Sequence, residues 1–346
     1  MQGSRSTRTP AGYAACSRSP RVTVCVPTIG RAEYLRQTLE SLAKQTYQDY
    51  EVLVLDNASP DDAQEVIRSF AKEDARTRIL RTNQRVPMFV NFNRGIHAAV
   101  GEYVVFFHDD DVYLPAFIER QVEVLAKNPT VGFVGSNCYL IDEFGRAIGR
   151  RELIKRTEVW TGRRFIRTLI KRGRNVMSTQ GITYRRSVLR SFGFNEAIPV
   201  LAGDFVVLMR MAETCDIGLI AELAWKNRIH GEAGSFIALS KAIPLRTELM
   251  RKYAAEYAVR WPNDKAFGQS LEKQLARSHL VWLLWGWISA KDESEAEACL
   301  KELIKLRCSI RLETVLRLMD RLVLSFGRRR AILTSLLRWI GNGVGA

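Results

Sequence analysis

The sequence predicts an α/β fold: a Rossmann-like, mostly parallel sheet with helices on both faces, followed by an α-helical C-terminal region. Three observations predict it. From Arg21 to about Asn137, short β-rich runs alternate with helix-period patterns. The strands are near-continuous apolar runs, as expected of strands buried on both faces. Beyond about residue 240 strand-like runs stop, and Leu, Trp and Arg recur at spacings of three and four, as in "RLVLSFGRRRAILTSLLRWI" (321–340).

Each element follows from its own pattern. "VTVCV" (22–26) reads as the first strand, and "RAEYLRQTLESLAKQ" after it as a helix with Leu35, Leu39 and Leu42 on one face. "EVLVL" (51–55) precedes a helix carrying Ala63, Val66, Ile67 and Phe70. "RIL" (78–80) precedes a helix carrying Phe89 and Ile96. "EYVVFF" (102–107) leads to a helix with Pro115 near its first turn and Ile118, Val122 and Leu125 inward. Beyond Val131 come a strand-like "VGFVGSNCYLI", a basic helix near 161–172, "TQGITY", "FGFNE", "LAGDFVVLMRMAE" and strand-like "IGLIAEL". Nothing between 131 and 235 resembles a linker, so the expected division is a disordered basic tail over 1–20, a domain over 21–238 in two halves (21–130 and 131–238), and a helical region over 239–346.

Composition narrows the function classes. Among 346 residues the formal net charge is +15, which favours an acidic partner: nucleic acid, an anionic membrane surface or a phosphorylated small molecule. No basic stretch interleaves with aromatics and no zinc-finger spacing occurs, so nucleic acid is the weakest of the three and is not expected as a partner. The six cysteines lie far apart without CxxC pairs, as small buried residues of a reducing compartment do. The opening residues lack the apolar run of a secretory signal, and "LVWLLWGWIS" (280–289) is about half the roughly 20 residues that cross a bilayer. The expected location is cytoplasmic, including the inner face of the membrane.

Right-handed crossovers put the carboxyl ends of parallel strands on one edge, where open α/β sheets bind ligands. Three strands deliver polar residues there: "PTIGR" (27–31), "DNASPDD" (56–62) and "HDDD" (108–111). Three adjacent carboxylates raise one another's pKa unless a cation sits among them or they splay into water. A divalent cation held by a few protein oxygens and completed by a ligand's phosphates fits Asp109–Asp111; the plainer alternative is an acidic turn at a helix N-terminus. Asp56 at its strand end suits a ribose or base edge, or else closes an Asx turn with Asn57 and Ser59. Glycine-rich phosphate loops are absent, because "PTIGR" holds a single glycine, Gly30.

These motifs together resemble the inverting GT-A glycosyltransferases of family 2, which use nucleotide-diphospho-sugars. "VTVCVPTIGRAEYLRQTLESLAKQTYQDYEVLVLDNASPDD" is similar to that family's opening, and "NFNRGIHAAVGEYVVFFHDDDVYLP" to its metal segment. The resemblance covers about residues 21–235. It implies a GT-A fold, Mn²⁺ or Mg²⁺, and a UDP-sugar as the commonest donor. Pro27, Thr28, Arg31, Asp56 and Asn93 would hold the donor, and Asn93 and Gly95 would also shape the helix before the metal strand. Counting back from Pro115, the family's D-x-D falls on His108, Asp109 and Asp110, with His in place of the first Asp. Asp110 is then the direct metal ligand, Asp109 meets the ribose, and Asp111 is a second ligand or stands behind the first. The other register pairs Asp109 with Asp111.

In the second half, "TQGITYRRSVLRSFGFNE" resembles the acceptor segment and "AGDFVVLMRMA" the stretch with the catalytic base, Asp204, although Gly203 replaces the usual Glu. Asp204 alone would equally read as a helix N-cap. "RIHGEAGS" (228–235) resembles the loop that closes over the diphosphate, with His230 as a metal or phosphate ligand. The implied reaction is one inverting displacement onto a hydroxyl acceptor, a carbohydrate or lipid-linked glycan, in envelope, polysaccharide or glycolipid synthesis. A nucleotidyltransferase and a non-catalytic sugar-nucleotide scaffold are the competing readings. In the C-terminal region Trp282, Trp285, Trp287 and Trp339 either meet an anionic membrane peripherally or pack in a helical bundle, on this chain or on a second copy in a homo-oligomer.

Overall fold

The computed structural model describes residues 19–172, 175–196 and 200–230 and a few positions between 248 and 262. The expected basic tail falls almost wholly outside these residues, as do the four tryptophans assigned to the membrane or to a bundle.

The first half builds a parallel sheet by alternation. Strand β1 (Val22–Thr28) leads into helix α1 (Ala32–Ala43), β2 (Tyr50–Asp56) into α2 (Ala63–Glu73), and β3 (Thr77–Ile79) into α3 (Met88–Ala98). Strand β4 (Tyr103–Phe106) then passes through the acid triplet to the two-residue β5 (Val112–Tyr113) and α4 (Phe117–Lys127). The second half holds β6 (Val131–Ile141), β7 (Ala147–Arg151), β8 (Glu158–Trp160) and α5 (Gly162–Arg172). After a short 3₁₀ turn over Thr179–Gly181 come β9 (Ile182–Arg185), α6 (Arg186–Phe192), α7 (Val200–Met211) and β10 (Asp216–Arg228).

The strands form one sheet in the order β3-β2-β1-β4-β9-β6-β10-β5, with β7 on β6 and β8 on β10. β1, β2, β3 and β4 pair in parallel, and so do β6 and β10. β9 runs antiparallel between β4 and β6 and joins the two parallel halves.

Alternation along each strand sorts side chains onto two cores. Val22, Val24, Val26, Val52 and Val54 face Leu35, Leu39 and Leu42 of α1, Ala63, Val66 and Ile67 of α2, and Ile118, Val122 and Leu125 of α4. Cys25, Leu53 and Leu55 face Phe89, Phe92 and Ile96 of α3, in a core that continues through α5, α6 and α7. The helical periodicities thus mark the buried faces, and Phe70 is half-buried. Gly95 lets α3 settle on the sheet, because a Cβ there would stand 2.6 Å from Leu55 Cδ1. Tyr253 and Tyr257 pack against the α7 side, and the Tyr253 hydroxyl donates to Met209 O at 3.4 Å. No helix among the described residues is long and apolar enough to cross a membrane.

Candidate functional site

The carboxyl ends of β1, β2 and β4 meet at one edge because the register puts them there. Thr28 lies opposite Asp56, and Cys25 opposite Phe106, so the chain leaving β4 reaches the level of Thr28 near the acid triplet. Pro27 ends β1 within the same edge, one residue before Thr28. Asp56 is buried, accepts the Ser59 N–H at 2.9 Å on Oδ1 and forms an ion pair with Arg81 on Oδ2. Asn57, the next residue, is tied to the loop before α3: its amide donates to Val86 O and accepts from Val86 N, both at 2.8 Å.

Arg31 is held in a left-handed conformation (φ 61°), which a non-glycine residue adopts at a cost. That geometry carries its guanidinium over the triplet, where it ion-pairs with Asp109 and meets Asp110 at 2.9 Å. Since Arg31 does not cap α1, Asp61 from the β2–α2 turn does so, accepting the Ala32 N–H at 2.9 Å. His230, beyond β10, approaches Asp110 Oδ2 with Nε2 at 3.1 Å, its ring 5.2 Å from that of Tyr34.

The three carboxylates therefore occupy different environments. Burial pushes Asp109 up to about 7 against the pull of Arg31. Burial also acts on Asp110, but the His230 hydrogen bond and the Arg31 charge outweigh it and hold this carboxyl at about 2. Asp111 is raised well above the ordinary range by burial and by Asp110. Asp111 turns away from Arg31: its Oδ1 accepts from Asn227 Nδ2 at 3.0 Å and from Arg228 N at 2.9 Å. Among the described residues, Asp110 and His230 converge, and Asp109 and Asp110 share Arg31.

A divalent ion can be tested against these donors. Asp109 Oδ2 and Asp111 Oδ2 are buried with no hydrogen-bond partner, a costly state for carboxylate oxygen that a hard cation relieves. No group of three His, Cys, Asp or Glu among the described residues is close enough to enclose an ion by itself. The donor set fits an ion held by one or two carboxylates and completed by a ligand's phosphates.

Two expectations need correction. Asn93 was assigned to the donor, yet its amide is committed to the protein: it donates to Phe194 O at 2.8 Å and to Glu196 Oε1 at 2.9 Å, and accepts from Phe194 N at 2.9 Å. It fastens α3 to the loop after α6. Asp204 does not cap a helix; it lies inside α7, with its side chain outside the described residues. His108, in the place of the first Asp, packs its ring edge-on against Phe92 at 5.8 Å, and burial lowers its pKa.

The sequence reading missed Arg81 and Arg228. Arg81 follows β3 and so stands at the same edge as the other polar turns, a signal that the short "RIL" run concealed. Arg228 is buried at the end of β10 and donates through Nε to Asp110 O at 2.9 Å, so it tethers the acid loop by its backbone.

Residues 23–193 match the family model described as Glycosyl transferase family 2. A Campylobacter jejuni protein named GalNAc(5)-diNAcBac-PP-undecaprenol beta-1,3-glucosyltransferase is 31% identical over 125 residues, 36% of this chain and 40% of that protein. The chain spans less than half the length of the curated relatives it matches. Among solved structures, S. aureus TarS 1-349 in complex with UDP-GlcNAc superposes with a TM-score of 0.62 at 17% identity, covering 85% of this chain and 82% of that one. The mannosyltransferase PcManGT from Pyrobaculum calidifontis, in complex with GDP-Man and Mn²⁺, gives 0.54 at 19% identity over 94% and 86%. These likenesses establish the shared fold.

Proposed function

The chain is a member of glycosyltransferase family 2, and from that premise we propose that it moves a sugar from a nucleotide-diphospho-sugar to a hydroxyl acceptor with inversion, assisted by a divalent cation. One observation carries the reading: Asp56 with Arg81, and Asp109 and Asp110 with Arg31 and His230, gather at the carboxyl edge of neighbouring parallel strands. An open α/β sheet binds its ligand at that edge.

Each group has a task there. The strand ends at Thr28 and Asp56 receive the nucleoside, and Asp56, oriented by Ser59 and Arg81, accepts hydrogen bonds from it. Asp110, with His230 beside it, would hold Mn²⁺ or Mg²⁺ together with the donor's phosphates, and Asp109 would meet the ribose. When bound, the ion supplies positive charge where negative charge develops on the departing diphosphate. Arg31, beside both carboxylates, would turn to the donor's phosphates on binding. Asp204 on α7 would accept the proton of the attacking hydroxyl. An attack opposite the leaving group needs no protein nucleophile.

Relatives and neighbours support the classes of substrate. UDP-GlcNAc and GDP-Man in the two superposed structures fit a nucleotide-diphospho-sugar donor, with UDP the first choice, and the Campylobacter relative's name carries an undecaprenol-linked glycan, which fits a lipid-linked acceptor.

The test is donor turnover. With Mn²⁺ and a panel of UDP-, GDP- and dTDP-sugars, the full chain should release nucleoside diphosphate, and Asp110→Asn should abolish this while leaving metal-free nucleotide binding intact. Asp204→Asn should lose transfer and keep Mn²⁺-dependent donor binding. Nucleotide binding without turnover of any donor, with or without Mn²⁺, would overturn the enzyme reading in favour of a scaffold.

A further inference from the structure

A cavity of about 340 Å³ opens between α1, β5, the β6–β7 turn and β10, and none of Thr28, Asp56, Asp109 and Asp110 lines it. Its charged lining is Lys44, Lys226 and Arg228 against a single carboxylate, Glu40. Lys226 and Arg228 are two apart on β10 and so project to the same side.

Arg228 is the unusual member. It is 2% exposed, yet among the described residues every acceptor its guanidinium reaches is neutral: Asp110 O at 2.9 Å, Asp142 O at 3.3 Å, Glu143 O at 3.1 Å and Gln37 Oε1 at 2.6 Å. Its charged end lies 4.5 Å from the Tyr34 ring centre. The carboxylate nearest in the bonding network, Asp111, is taken up by the Arg228 main-chain N–H and by Asn227. Among the described residues no carboxylate forms an ion pair with Arg228. Burying a cation on neutral partners alone is costly. Among the described residues these four hydrogen bonds leave one of the five guanidinium N–H groups to donate.

We propose that this cavity is a second anion site, which takes a soluble small molecule bearing a phosphate or diphosphate group. The anion faces Lys44 and Lys226 from the solvent side and supplies the buried guanidinium of Arg228 with a counter-charge that no described residue gives it. A volume of this size suits a small ligand rather than a polymer. Through the Arg228 to Asp110 hydrogen bond, occupancy is coupled to the acid loop. The proposal stands on this cavity alone and does not require the sugar-transfer reading.

The probe is inorganic pyrophosphate, titrated calorimetrically into the full chain in EDTA. Lys44→Gln/Lys226→Gln should weaken binding roughly tenfold, as expected on losing two solvent-facing charge contacts. The double variant should keep wild-type affinity for UDP with Mn²⁺. Glu40→Gln should tighten pyrophosphate binding, and Arg81→Gln, beyond β3 at the opposite side of the sheet from β10, should leave it unchanged. Wild-type affinity in the lysine double variant, no pyrophosphate binding at millimolar concentration in the wild type, or loss of binding in Arg81→Gln would overturn the proposal. So would lysine-dependent flotation with phosphatidylglycerol vesicles by a chain that ignores pyrophosphate, which would make the contact a lipid surface.

Discussion

Replacing Arg81 with Met keeps the aliphatic stem and removes the charge opposite Asp56. The Asp56 side chain is 2% exposed, so its carboxylate depends on Arg81 and on one hydrogen bond from Ser59 N. A fully buried pair broken on one side costs about 3–5 kcal/mol. The Arg81 side chain is 37% exposed, so water already screens the pair, and the loss of a charged hydrogen bond, about 1–3 kcal/mol, is the better guide. Urea unfolding of the wild type, Arg81→Met, Asp56→Asn and the double variant closes a cycle. The coupling energy should be about 1–2 kcal/mol, since contacting charged partners do not add. Nucleoside diphosphate affinity should fall in both single variants, because each misplaces the group that meets the nucleoside. A coupling energy below about 0.5 kcal/mol, or Arg81→Met with unchanged nucleotide affinity, would refute the assignment of this pair to the donor pocket.

Three further outcomes follow from single contacts. Gly162→Ala would place a Cβ 1.8 Å from Ala212 O where α5 meets the end of α7, and should cost on the order of 3 kcal/mol, seen as a lower urea midpoint; an unchanged midpoint would show that the helices yield freely. Asn93→Ala removes the bonds that fasten α3 to Phe194 and should cost about 1–3 kcal/mol in urea unfolding while sparing metal-free nucleotide affinity; a selective loss of that affinity would return Asn93 to the donor site. The Arg76 hydrogen bonds hold the Asp74 carboxyl below its ordinary range, so its stabilisation is complete above the unfolded carboxylate value of about 4 and is lost as pH falls below it. Asp74→Asn should therefore flatten the fall of the urea midpoint below about pH 4, and an unchanged pH slope would contradict the pairing.

The site was legible where chemistry sits at the end of a strongly patterned element. "VTVCV", "EVLVL" and "EYVVFF" announce buried strands by their apolar runs, and the polar residues that end them inherit a common edge from parallel topology. His230 lies far from Asp110 in sequence, and only the family resemblance brought it to the acids. Arg81 and Arg228 were invisible for a different reason: in a chain with 52 Lys and Arg, no spacing distinguishes a buried guanidinium from a solvated one. Asn93 was misassigned because an amide gives no sign in sequence of whether protein or ligand will satisfy it.

The sequence by itself determined the alternation of strands and helices, the two apolar faces of the sheet, and the delivery of Asp56 and Asp109–Asp111 to one edge, because periodicity and crossover handedness are local rules. Only the tertiary structure decided which partner each carboxylate meets. Arg31 and His230 reach Asp110 from opposite ends of the domain, while Asp111 turns to β10 and Arg228 remains among neutral acceptors. Those pairings depend on three-dimensional distance and on removal from water, and neither quantity is written in the order of the residues.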